Sequence, residues 1–122
     1  MRAGGRWAAV GLVAGAILLV SVIPIPGSVP KDGGVPTSAL FHVVGYAVLA
    51  ALLSIALLAT ETRVRAALLG SGGASGYGAL IECVQYPISY RTFNFLDMLI
   101  NGAGAGVGVL LLFVALALRE AP

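Results

Sequence analysis

Residues 80–102, LIECVQYPISYRTFNFLDMLING, bring Glu82, Gln85, Arg91, Asp97 and Asn101 close together in a chain that is otherwise strongly apolar. Upstream, His42 and Tyr46 stand one helical turn apart. Two carboxylates, an imidazole and a guanidinium are a set that can exchange protons with a substrate, grip a phosphate or amine headgroup, or relay protons. A hydrogen-bonded network that fixes packed helices, with Asp97 and Asn101 partly capping a helix start, uses the same residues without any reaction. One histidine and no ligand-spacing motif argue against a metal, and nothing in the pattern calls for a cofactor.

These residues sit in an unusual solvent. Hydrophobic residues make up 59% of the 122, and only seven Lys or Arg and five Asp or Glu carry charge. With a mean hydropathy of +1.01, the composition is that of a membrane protein. The length suits one compact unit of a few spans, residues 1–122 as a single domain. The net charge of +2 is spread too thinly to form a basic stripe with interleaved aromatics, so nucleic acid is not an expected partner. Cys83, the single cysteine, has no partner for an internal disulfide and reads as a small apolar filler beside Glu82.

A helix needs roughly 20 apolar residues to cross the hydrocarbon core, and four segments approach that. The first, 7–23, stops at Pro24 and Pro26; no small-x-small cleavage site follows it cleanly, so it reads as a retained span. The others are 38–59, 66–88 and 96–118. The third is interrupted by GSGGASGYG, which lacks the lysine and fingerprint of a phosphate loop and instead suits close helix packing. The expected fold is therefore all-α, a bundle of four transmembrane helices. Arg2, Arg6, Arg63, Arg65 and Arg119 flank one side and Lys31 and Arg91 the other, which predicts both termini in the cytoplasm of a multi-pass cell-membrane protein.

Depth and helical phase then position the polar set. At 1.5 Å per residue, Glu82 lies about 9 Å and His42 about 6 Å inside the outer ends of their spans. Asp97 and Asn101 fall in the first two turns of the last span. Ser71, Ser75, Gly78, Glu82 and Gln85 share one helical stripe, and Asp97, Asn101, Gly104 and Gly108 share another. If the stripes face each other, His42, Tyr46, Glu82, Gln85, Arg91, Asp97 and Asn101 border an outward-opening pocket, with Gly78, Gly104 and Gly108 as packing positions. The glycine-rich faces also offer a route to a homo-oligomer.

The order H42-V-V-G-Y46, then E82-C-V-Q85, then R91-T-F-N-F-L-D97-M-L-I-N101-G102 resembles the VanZ-like family of small integral membrane proteins, over roughly residues 38–108. Members commonly carry an Asp-Lys pair four and three residues ahead of the histidine, where Ser38 and Ala39 stand here. The resemblance implies a polytopic membrane protein whose namesake is associated with resistance to teicoplanin, and it supplies no reaction. The expectation is action at the outer face of the membrane on a cell-envelope lipid or amphiphile, with Arg91 meeting an anionic group and Glu82 accepting a proton. A small proton-coupled exporter and a non-catalytic membrane assembly partner are the rival readings.

Overall fold

The computed structural model describes residues 2–23, 37–87 and 95–122, with the side chains of 37–39 excepted. Four helices follow in chain order: α1 (Ala3–Val22), α2 (Thr37–Leu57), α3 (Arg63–Gln85) and α4 (Phe95–Glu120). Among the described residues there is no strand. The helices overlie the four apolar segments but are displaced toward the N-terminus: each begins one to four residues ahead of its segment, and α1, α2 and α3 end one to three residues short of it. At the end of α1 the local signal is Pro24. The residue before a proline is driven out of the α region, and Ile23 is extended at φ −87° and ψ 145°. At the start of α3 it is Thr62, whose Oγ1 accepts the Arg65 N–H at 3.3 Å and so satisfies one of the first-turn donors.

Helices α1, α2 and α4 are long and apolar enough to cross a membrane. Helix α3 is equally long but falls short on hydropathy, since it carries Arg63, Arg65, Glu82 and a run of glycine and serine. Among the described residues, much of the large apolar surface faces outward and much of the interior is built of small residues. Large apolar side chains such as Leu12, Leu68, Leu80, Leu110 and Leu118 face outward, while the interior holds Gly70, Ala74, Gly78, Gly104, Ala105 and Gly108. Where lipid is the solvent, burying a leucine gains little, and small residues that let backbones close up hold helices together instead.

Helix α2 packs against all three others, most extensively α4; α1 rests on α2, touches α3 lightly and does not meet α4. The closest approach is between α2 and α4, which run parallel. A Cβ on Gly104 would lie 2.7 Å from the Val43 carbonyl oxygen, and one on Gly108 would lie 2.6 Å from both Cα and C of Ala47. These clashes are with backbone, which cannot swing aside. Gly70 makes the corresponding approach of α3 to α2, where a Cβ would strike Ser54 Oγ and lie 2.9 Å from the Ala50 carbonyl. Ser54 Oγ in turn donates to the Ala66 carbonyl at 3.1 Å. At the opposite end from the polar set, Arg63 of α3 pairs with Glu120 of α4 on the exposed surface.

These contacts separate two glycines only two residues apart. Gly108→Ala will destabilise the protein by about 1–3 kcal/mol, the usual cost of overpacking. Gly106→Ala, where an added Cβ meets nothing within 4 Å, will leave the midpoint unchanged or slightly raised. Thermal unfolding in detergent, followed by circular dichroism, measures both.

Candidate functional site

The register set by Gly104 and Gly108 places the start of α4 beside the start of α2, with the end of α3 between them. Side chains on a helix lean back toward its N-terminus, so Tyr46 and His42 of α2 both reach toward the same end of the bundle. Their rings meet edge to face at 6.0 Å. Tyr46 also lies 6.5 Å from the Tyr77 ring and within electrostatic reach of Glu82. Gly78 leaves the space in which these groups meet. A Cβ there would lie 3.0 Å from Asn101 Nδ2 and 3.2 Å from Tyr46 Cε1.

Tyr46, Glu82 and Asn101 are all fully buried, and Gln85 nearly so. Gln85 Nε2 donates to the Ser21 main-chain oxygen at 2.8 Å, and about two turns earlier on α3 the Tyr77 hydroxyl donates to the Ala14 oxygen at 2.6 Å. Both bonds tie α3 to the backbone of α1. By contrast, the Tyr46 hydroxyl, both ends of the Asn101 amide and the Ser21 hydroxyl have no hydrogen-bond partner among the described residues. Buried polar groups are nearly always satisfied, because leaving one unmet costs about 1–3 kcal/mol. Several unmet groups together at one end of a small bundle require a reason.

The remaining expected residues are distributed differently. Asp97 is half-buried in the first turn of α4, one turn ahead of Asn101, where a carboxylate suits the positive end of the helix dipole. His42 is half-buried on α2. Arg91 lies outside the described residues, as do Lys31 and Asp32. Cys83 does not fill space beside Glu82: it is exposed, because one residue of helix turns it about 100° away from the buried face. The buried stripe of α3 runs through Ala66, Gly70, Ala74, Gly78, Glu82 and Gln85, which leaves Ser71 and Ser75 at its margin. Ser71 satisfies itself by donating to the Ala67 carbonyl at 2.8 Å. Among the described residues no group of three His, Cys, Asp or Glu side chains is placed to hold a metal ion.

Two participants escaped the sequence reading. Ser21 is the one polar residue in the apolar stretch 7–23, which was the available signal. Tyr77 had none beyond its aromatic type, because its partner is a main-chain carbonyl of another helix.

An apolar groove runs along the α1–α2 side of this cluster, with a volume of about 260 Å³. Its walls include Val13, Ile17, Val44 and Val48, and its polar end is formed by Ser21, His42 and Tyr46. No curated protein and no solved structure matches the chain significantly. A family model described as VanZ/LLP1 matches residues 16–116, which takes in the C-terminal third of α1, all of α2 and α3 and most of α4. With its four helices, three of them apolar enough for a bilayer, and a match over most of its length, this membrane protein belongs to the VanZ/LLP1 family.

Proposed function

We propose that this VanZ-family protein crosses the cytoplasmic membrane four times, with both termini inside, and acts at the outer face on a cell-envelope lipid or amphiphile. The single observation that carries the reading is that the buried hydrogen-bonding groups of Tyr46, Asn101 and Ser21 are unmet among the described residues, with Glu82 within electrostatic reach of Tyr46. A ligand whose polar part enters this layer would supply the missing bonds and recover their cost. Glu82 is then the proton acceptor, Tyr46, Gln85 and Asn101 orient the ligand, and His42 and Asp97 border the entrance. Arg91, between α3 and α4, is assigned to an anionic headgroup. A part in glycopeptide resistance of the teicoplanin type follows if the amphiphile is one on which such drugs depend.

The fourth span is α3. Its 23 residues give about 34 Å of helix, enough for about 30 Å of hydrocarbon. Glu82 and Gln85 turn inward while Leu68, Leu69, Leu80 and Val84 face out, which lowers its average hydropathy without exposing charge to lipid. Cysteine labelling tests the topology. In a Cys83→Ser background, cysteines placed at Glu61 and at Ser89, which flank α3, will react with membrane-impermeant maleimide from opposite sides of the membrane, compared in right-side-out and inverted vesicles. Labelling of both from one side would remove the four-span arrangement.

The polar layer is tested by Asn101→Leu, which removes a buried amide and keeps the number and branching of the side-chain heavy atoms. If the amide awaits a ligand, thermal stability will hold or rise by about 1 kcal/mol, since an unmet polar group has been deleted. Lipid co-purifying with the protein, read by native mass spectrometry, will fall. A loss of stability with lipid content unchanged would identify the layer as structural. Glu82→Gln, which keeps size and hydrogen-bonding capacity, is expected to lose the cellular phenotype while remaining folded.

A further inference from the structure

Among the described residues, the groove between α1 and α2 and one between α3 and α4 differ in one respect. The groove between α3 and α4, lined by Leu68, Ser71, Gly106, Leu110 and Phe113 among others, has a volume of about 340 Å³. Its one polar side chain, Ser71, is satisfied by its own helix. The α1–α2 groove is nearly as apolar along its walls, but two side chains lining it, Ser21 at 1% exposure and Tyr46 at 0%, carry hydroxyls with no partner among the described residues. A helical serine can usually satisfy itself on a carbonyl of the preceding turn, as Ser71 does, and Ser21 does not.

We propose that the α1–α2 groove takes one ester-linked acyl chain of a glycerophospholipid from the surrounding leaflet, with the ester carbonyl accepting hydrogen bonds from Ser21 and Tyr46. This rests on the reading that the protein acts on an envelope lipid, and it names the class of lipid and the place where its chain lies. The polarity of the groove runs the way a lipid runs. Its hydroxyls and His42 are at the end where α1 finishes and α2 begins, and its apolar walls continue to Val13 and Val48. From Ser21 to Val13 is about 12 Å of helix, close to half of a hydrocarbon core about 30 Å thick, so the groove matches a single leaflet. The volume lies below the roughly 300 Å³ at which pockets for whole drug-sized ligands begin. One chain fits, not an entire lipid. Among the described residues no lysine or arginine lines the groove, and its polar end offers hydroxyls suited to a neutral ester acceptor.

Exposed Phe41, Val44 and Val48 leave the groove open to the bilayer. The two hydroxyls are closed off from solvent, so a carbonyl reaches them as α1 yields. That helix meets α2 along one face and does not meet α4, and its attachment to α3 is a light contact together with the Gln85 and Tyr77 bonds to its main chain.

The full chain, reconstituted in phosphatidylethanolamine–phosphatidylglycerol nanodiscs, is photolysed with phosphatidylglycerol carrying a diazirine midway along one chain, and the adducts are mapped by peptide mass spectrometry. The expected result is enrichment at residues 13–20 and 44–48 over the α3–α4 groove at Leu110 and Phe113. A diether analogue of the same probe should lose the enrichment by roughly three- to tenfold, the effect of one or two hydrogen bonds. Ala16→Phe, which fills the groove from an exposed position, should abolish it, and Leu12→Phe on the outer face should not. Tyr46→Phe with Ser21→Ala should erase the ester-over-ether preference.

Equal labelling of all outward faces, or equal labelling by ester and ether probes, overturns the proposal. So does occupation of the groove by residues 24–36 or by a second copy, detected as protein–protein adducts. Adducts concentrated at Asp97 and Asn101 instead would reject this groove and leave the lipid reading standing. Absence of any lipid enrichment, with no lipid co-purifying, would reject both.

Discussion

The parallel approach of α2 and α4 at Gly104 and Gly108 governs the rest of the structure. In a bilayer no water is released when helices meet, so contact itself must supply the attraction, and contact is best where no Cβ intervenes. Val43 and Ala47 present their main chains to the two glycines, and the four-residue spacing on each helix fixes the register as well as the distance. Once α4 is held there, Asn101 is brought against Gly78 and Tyr46. A larger residue at 104 or 108 would therefore move the polar layer as well as loosen the pair.

That layer is assembled from all four helices. Tyr46 and His42 come from α2, Glu82 and Gln85 from α3, Asn101 from α4 and Ser21 from α1. Its two sides differ energetically. Toward α1, the side chains of Gln85 and Tyr77 end on main-chain oxygens, so the attachment of α1 depends on backbone position more than on the side chains α1 carries. Toward α2 and α4, the Tyr46 hydroxyl and the Asn101 amide are buried and unmet among the described residues. Among the described residues, polar groups are thus left unmet at the end that adjoins the α1–α2 groove, while the opposite end is tied by the exposed Arg63–Glu120 pair.

The sequence by itself determined the helices and the membrane character. An apolar run has no alternative in lipid to bonding its own backbone, and Pro24 and Thr62 mark helix ends through local geometry that needs no distant partner. Position along a helix was legible less exactly: α3 ends at Gln85 and not at residue 88, so Glu82 lies about 4.5 Å from the helix end where about 9 Å was expected. Phase was legible only coarsely. A one-residue step turns a side chain by about 100°, so Cys83 falls on the lipid side of Glu82, and Ser71 and Ser75 move from the stripe to its edge.

Which stripe meets which was decided by the tertiary structure alone. A glycine spacing shows that a backbone can be approached, not which helix approaches it, and Gly104 could not name Val43 as its neighbour. Ser21 and Tyr77 were invisible as participants for the same reason: their surroundings consist of groups tens of residues away, and the carbonyls of Ala14 and Ser21 belong to every sequence alike. Local bonding fixes the elements, whereas the absence or presence of a partner for a buried hydroxyl is a property of packing between them.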